Sequence, residues 1–264
     1  MRSDQASLTA RGVALVRSRL ERPPWPTGDP DADDRLTAGL TEGLTWDADR
    51  PDRYRDEFSA FMKIRTRFFD TEVMRALDGG VRQIVLLGAG YDGRALRYRT
   101  PGAQFFEVDH PATQADKRRR LHDLGAALDG IVFVTADFTE PGLADALEAA
   151  GHDAHQRSLF LCEGVLRYLP EDAFRGLLQT AAERAATESE LAASIATRDA
   201  EPSERELARE EALAASGEAV LTVPPAAVAL EWLAAAGWTV ESVEGEAETS
   251  PERRRRRLLV RARR

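Results

Sequence analysis

The sequence predicts an α/β fold built on a mainly parallel sheet. Three observations carry this: short apolar runs with no polar face, helical patterns alternating with them, and a glycine or a carboxylate standing just past four of the runs. Strands covered by helices on both faces are buried on both, so they read as continuous apolar runs rather than alternating ones. In such sheets ligands gather outside the carboxyl ends of the strands. The 264 residues suffice for one domain of this kind with a smaller cap.

Leu8, Val13, Leu15, Val16 and Leu20 suit an amphipathic helix over residues 8–20, which the rigid Pro23-Pro24-Trp25-Pro26 stops. The Asp29 to Asp34 stretch offers caps for a second helix, in which Leu36, Leu40 and Leu44 recur every four residues. Between Phe58 and Leu77 the apolar residues again keep helical spacing, and Gly79-Gly80 closes that helix just before the first strand. Arg65 and Arg67 lie within it. They read either as solvated arginines or, for one of them, as a clamp reaching over to a ligand carboxylate.

The chain is organised around Gln83-Ile84-Val85-Leu86-Leu87-Gly88-Ala89-Gly90-Tyr91-Asp92-Gly93-Arg94, a buried strand that breaks into a glycine turn. Glycines there permit a positive φ and close approach of a ligand to the backbone. Gly88, Gly90 and Gly93 satisfy G-x-G-x-x-G, and Asp109 follows Gly88 by 21 residues, the separation expected of a ribose-binding carboxylate. NAD, FAD and S-adenosylmethionine all carry such a ribose, so this match leaves the ligand open.

A short helix fits between Asp92 and Thr100, then Gln104 to Asp109 forms a second strand. Residues 112–128 read as a helix whose Lys117-Arg118-Arg119-Arg120 run is a solvated face. Ile131 to Thr135 is a third strand ending in Ala136-Asp137-Phe138, and residues 141–151 make another helix. Ser158 to Cys162 is a fourth strand, with Glu163 at its end. Gly88, Asp109, Asp137 and Glu163 thus fall at four successive strand ends and would share one crevice. A helix over 171–186, a strand over 191–197, a charged helical insertion over 199–216 able to cover the crevice, a helix from Pro224-Pro225 to Gly237, and strands at 238–243 and 258–261 complete the chain. Between the last two, Arg253 to Arg257 reads as a solvated basic run.

A net charge of −9 argues against broad attraction to nucleic acid and favours small-molecule or peptide substrates. The single cysteine, Cys162, lies in an apolar run and reads as a buried structural thiol, not part of a disulfide or a Cys-rich zinc site. No apolar run is long enough for a membrane helix, and no signal core follows Met1, so a cytoplasmic location is expected. His152 and His155 have H-x-x-H spacing but no second ligand cluster, and no metal is expected. Hydrolase elbow, Walker lysine and paired cysteines are all missing from the sequence.

Laid out this way, the chain resembles the leucine carboxyl methyltransferase family of S-adenosylmethionine-dependent enzymes, in particular its bacterial O-methyltransferase branch. The residues that carry the resemblance are Arg65-Thr66-Arg67-Phe68-Phe69-Asp70, Leu87 to Asp92, Phe106-Glu107-Val108-Asp109-His110-Pro111, Ala136-Asp137-Phe138 and Glu163 to Pro170. The resemblance implies a class I methyltransferase, or Rossmann-like, fold: a seven-stranded sheet parallel except for its last strand, helices on both faces, and a helical N-terminal cap over residues 1–78, all within one domain spanning 1–264. It also implies roles. Arg65 would pair with the methionine carboxylate of S-adenosyl-L-methionine, Gly88, Ala89, Gly90 and Asp92 would form the loop around it, and Asp109 would take both ribose hydroxyls. Asp137 would accept from the adenine amino group with Phe138 beside the ring, and Glu163 would lie near the methionine ammonium and the transfer site.

Three positions depart from the family pattern: Gly93 stands where threonine is usual, Arg167 replaces an apolar residue, and Cys162 a tryptophan. Gly93 should weaken hydroxyl contacts of the loop, and Arg167 could point at an acidic substrate. Methyl transfer to a carboxylate needs no general base, because that acceptor is already ionised; a phenol or enol would need one, for which His110 is the candidate. The expected activity is O-methylation of a small molecule or biosynthetic intermediate. Two alternatives stay open: an NAD(P)- or FAD-binding oxidoreductase, and a non-catalytic relative that only binds S-adenosylmethionine.

Overall fold

The computed structural model describes residues 6–38, 40, 52–199, 201–202, 204–215, 217–245 and 255–264. Leu44 of the expected second helix and Arg253 of the basic run lie outside them.

Seven strands form one sheet: β1 (Gln83–Leu87), β2 (Gln104–Asp109), β3 (Ile131–Thr135), β4 (Ser158–Cys162), β5 (Glu190–Arg198), β6 (Thr239–Gly245) and β7 (Arg255–Arg263). Their spatial order is β3-β2-β1-β4-β5-β7-β6. β7 runs antiparallel to both neighbours, and the other pairings are parallel, as expected. The chain starts in the middle at β1, winds out to β3, and returns to β4 on the other side of β1. That reversal opens a crevice above the β1 and β4 ends, where Gly88 and Glu163 stand.

Side chains of β1 alternate between two apolar layers. Val85 and Leu87 join Phe106, Phe160 and Cys162 against α6 (Leu143–Ala149), α7 (Glu171–Glu183) and α9 (Ala226–Ala235). Ile84 and Leu86 join Phe105 and Leu159 against Phe69, Val73 and Leu77 of α3 (Asp52–Asp78). Burial pushes the Cys162 thiol up to about 12, which suits a structural side chain. No helix of the described residues is long and apolar enough to cross a membrane.

Two basic runs differ from expectation. Lys117, on α5 (Pro111–Asp123), is buried: its ammonium meets Glu107 of β2 at 2.6 Å and donates to the Asp92 carbonyl at 2.6 Å. β7 starts earlier than its apolar core suggested, because β5 is long enough to pair Arg255 to Arg257 with Arg198 to Ala196. Part of the basic run is therefore strand, not loop.

The cap comprises α1 (Leu8–Ser18), α2 (Pro30–Ala38) and α3. α2 seats itself at Gly93, immediately before α4 (Arg94–Arg97): a Cβ at 93 would lie 1.7 Å from Asp33 Oδ1. Asp33 is fixed in turn by Arg22 at 2.5 Å and Arg97 at 2.7 Å. Glycine at 93 thus makes room for a cap carboxylate, a role that the family comparison by position did not reveal. Because φ at Gly93 is −98°, any residue could adopt the backbone, and the cost of a side chain is steric. Gly93→Ala is expected to lose about 1–3 kcal/mol in denaturant unfolding. A double-mutant cycle with Asp33→Ser should give a clear coupling energy, and simple additivity would contradict the contact.

Candidate active site

Past β1 the chain turns sharply, with φ of 76° at Gly88 and 50° at Gly90. The Gly88 and Ala89 amides both donate to the Val108 carbonyl at 2.9 Å, curling the loop onto β2. Room matters as much as φ. A Cβ at Gly88 would meet Val165 Cγ2 at 2.2 Å, and one at Gly90 would meet Ala10 of α1 at 3.0 Å. Asp109 closes β2 with its carboxylate accepting from the Gly90 and His110 amides, the latter at 2.7 Å. Burial holds this carboxyl above the usual range, with the two amide hydrogen bonds acting in the opposite sense.

A cavity of about 730 Å³ lies over these strand ends, and every residue expected in the site, from Arg65 to Glu163, lines it. Beside Asp109, the Asp137 carboxylate accepts from the Thr139 amide at 2.9 Å and hydroxyl at 2.7 Å, leaving it partly exposed at the β3 end. Phe138 follows it on the wall. His110 caps α5, its Nδ1 accepting from the Ala112 amide at 3.4 Å, and its Nε2 lies 3.9 Å from Asp137. It therefore stands with the β2 and β3 ends, across β1 from Glu163. His110, the candidate base, also lines the cavity.

Glu163 is the centre of a buried ion cluster. Its Oε1 lies 3.0 Å from Arg17 and 2.9 Å from Arg65, and its Oε2 2.6 Å from Arg94. Arg94 also meets Asp92 at 2.5 Å and Asp70 at 2.7 Å, and Arg22 holds the other oxygen of Asp70 at 2.8 Å. Asp92 additionally accepts from the Arg94 amide at 2.9 Å and faces Arg17 at 3.6 Å. Asp92 lines the cavity while its carboxylate is engaged with Arg94 and Arg17. Arg67, the other candidate clamp, is exposed.

Despite a large burial penalty, the surrounding guanidiniums hold Glu163, Asp92 and Asp70 below the usual carboxylate range. Arg65 is displaced the other way: burial, with Arg17 and Arg94 nearby, pulls its guanidinium below the ordinary value in spite of Glu163. At the cavity wall Arg17 and Arg65 face Asp92 and Glu163, with Arg94 behind them also reaching Asp70, and the Nε–H groups of Arg17 and Arg65 are buried without an aligned acceptor.

The roof is made by α1 and by the stretch after α8 (Glu204–Ala215). Glu218 joins them, accepting from the Ser7 hydroxyl at 2.6 Å and the Thr9 amide at 3.1 Å at the start of α1. The same cavity is also lined by Phe61, Tyr168, Ile195 and Leu221, with Arg167 and Arg257. The Gly164 amide donates to Ser194 Oγ at 2.8 Å, fixing the turn after Glu163.

Arg17, Arg94, Phe61 and Arg257 were not among the site residues read from the sequence. Arg17 had a signal: it follows Val13 by four residues on the face of α1 that turns inward. Arg94 had one too, as a charge inside the short Arg94-Ala95-Leu96-Arg97 helix. The two histidines of the H-x-x-H pair differ in burial. His152 is buried with Nε2 3.0 Å from Ser158 Oγ and its pKa pulled to about 4 by burial and Arg184, while His155 is exposed. Among the described residues no group of three His, Cys, Asp or Glu side chains is arranged to hold a metal ion.

The sheet order, the glycine turn and the carboxylates at successive strand ends define a class I methyltransferase fold. A family model described as leucine carboxyl methyltransferase matches residues 29–182. A Frankia alni protein named as an S-adenosyl-L-methionine-dependent methyltransferase is 35% identical over 243 residues, covering 89% of this chain and 82% of its own length. A Streptomyces avermitilis protein of the same description is 37% identical over 250 residues, with 89% and 83% covered. The crystal structure of a DUF574 family protein from Streptomyces avermitilis superposes with a TM-score of 0.63 at 17% identity, over 99% of this chain and 98% of that one. PigF, solved with SAH, shares the fold at a TM-score of 0.51 and 17% identity, over 81% of this chain and 60% of its own. The chain belongs to the leucine carboxyl methyltransferase family of S-adenosylmethionine-dependent methyltransferases.

The depressed carboxylates make a pH prediction. Each binds a proton less readily folded than unfolded, so its contribution is full above about pH 4.3, the unfolded value, and is lost as pH falls toward the lower folded value. Glu107 and Asp109, both raised by burial, act with the opposite sign. The balance predicts a thermal midpoint that drops on acidification below about pH 4. Glu163→Gln should cost about 3–5 kcal/mol at pH 7, because it leaves buried guanidiniums uncompensated. A variant as stable as the parent would contradict the cluster.

Proposed function

We propose that the chain transfers the methyl group of S-adenosyl-L-methionine to an oxygen of a small acceptor, a carboxylate. The observation that carries this reading is the continuity of the cavity. It runs from a ribose-ready carboxylate and glycine turn, past Glu163, into an apolar chamber whose cationic walls suit an anionic acceptor. Its volume of about 730 Å³ lies within the roughly 300–1,000 Å³ of ligand sites.

The cofactor's fit is supported by the cluster around Glu163. Arg65 and Arg17 both meet Glu163 at the cavity wall, and an α-amino acid brings a carboxylate for such guanidiniums and an ammonium for such a carboxylate. Arg65 and Arg17 would hold that carboxylate, and Glu163 would take the ammonium. Asp109 would accept from the ribose hydroxyls, and Asp137 from the adenine amino group with Phe138 against the ring. When bound, the cofactor supplies a methyl group already activated on a sulfonium, for in-line displacement by the acceptor oxygen. The residues then have three tasks: Phe61, Tyr168 and Ile195 exclude water, the turn at Gly164 sets the edge of the acceptor chamber, and the arginines orient the anion. An ionised carboxylate gives up no proton, which agrees with His110 standing across the site.

Calorimetric titration tests the cofactor half. S-adenosylhomocysteine should bind and NAD should not, and Asp109→Ala should weaken binding about 100-fold through loss of two charge-assisted hydrogen bonds. Binding should also weaken as pH falls through the raised pKa of Asp109, a limb absent from the variant. For the acceptor half, incubation with methyl-labelled cofactor and a panel of carboxylic acids should give products that release methanol in mild alkali, as esters do. Alkali-stable products, or binding of NAD instead, would contradict the reading.

A further inference from the structure

Arg94 belongs to the Glu163 cluster but does not line the cavity. Its side chain is 1% exposed and lies behind the wall, engaged with three carboxylates. Nη1 meets Glu163 Oε2 at 2.6 Å and Asp92 Oδ2 at 2.5 Å, and Nε donates to Asp70 Oδ1 at 2.7 Å. The Arg94 amide donates to the other oxygen of Asp92 at 2.9 Å. Asp70 is held from its far side by Arg22 Nε at 2.8 Å, so turning the Arg94 guanidinium would break several pairs at once.

The terminal torsion of a glutamate is broad and roughly two-fold, so a carboxylate held through one oxygen keeps rotational freedom. Arg17 and Arg65 both approach Glu163 through Oε1, at 3.0 and 2.9 Å. Arg94 supplies a hold on Oε2 from behind the wall. Resting on the reading that Glu163 takes the ammonium of the cofactor, we infer that Arg94, itself fixed by Asp70, is the positioning residue that sets the Glu163 carboxylate for that ammonium. It acts through Glu163 and does not touch the cofactor. A lysine at this position keeps the charge, but a point charge on a flexible stem offers no planar fork that meets Glu163, Asp92 and Asp70 in one geometry. The backbone amide of residue 94 still holds Asp92 in such a variant, so the glycine turn and the adenosine end keep their anchor.

The test is calorimetric titration of parent and variants with three ligands. They are S-adenosylhomocysteine, its deaminated analogue 5′-S-(3-carboxypropyl)-5′-thioadenosine, and 5′-methylthioadenosine, which lacks the amino-acid end. The parent should bind S-adenosylhomocysteine about 10–100-fold tighter than the deaminated analogue. Arg94→Lys should shrink that preference about tenfold, with the affinities for the other two ligands unchanged. Asp70→Asn leaves one acceptor oxygen to serve both Arg94 and Arg22, and should shrink the preference in the same direction. It gives a second reading that does not depend on how well the lysine variant folds. Weakening of all three ligands alike, which a merely structural role would produce, overturns the inference, as does a preference unchanged in either variant. The two readings fail separately. A parent preference that is insensitive to residue 94 sinks only the positioning role. A parent indifferent to the amine sinks the placement of the ammonium on Glu163, and the positioning role with it.

Discussion

Three guanidiniums on one buried carboxylate hold the site together. Glu163 ends β4, Arg17 comes from the first cap helix, Arg65 from the third, and Arg94 from the helix behind the glycine turn. One side chain thereby ties cap to sheet at the point where the chain reverses direction. Burying so many charges costs desolvation free energy, and well-packed apolar residues would often be no less stable. The cluster is therefore better explained by what it prepares for than by what it stabilises. On the proposed reading, these charges of both signs at close quarters would meet the carboxylate and ammonium of an amino-acid moiety.

The rest of the cap follows from the same node. Arg94 passes through Asp70 to Arg22, Arg22 to Asp33, and Asp33 to Arg97. This chain of pairs seats α2 against the turn, and Gly93 leaves the space it needs. Glu218 then closes the roof from the far side by capping α1. The cavity is thus bounded by elements distant in sequence.

Much of this was legible in the sequence because parallel strands and glycine turns are local signals. Five consecutive buried residues in β1, φ-tolerant glycines after them, and carboxylates at the ends of β2, β3 and β4 all follow from neighbouring residues. Charges whose partners lie far away were not legible. Arg17 and Glu163 are 146 residues apart, and in isolation Arg17 is only a basic residue near a helix end. Lys117 looked solvated within its basic run because its partner Glu107 lies on a different element. Arg257 looked like loop because the length of β7 is set by β5, not by its own apolar residues. His110 showed the reverse limit: adjacency to Asp109 put it in the cavity, but strand order put it on the other side of β1 from Glu163.

A crystal structure of the complex with S-adenosylhomocysteine tests the central claim most directly, because it reads the Glu163 cluster atom by atom. The account predicts the amino-acid carboxylate on Arg65 and Arg17, at about 2.7–2.9 Å, with the ammonium on Glu163. An amino-acid moiety bound away from Glu163, with the 2.9 Å Arg65–Glu163 pair undisturbed, would contradict it.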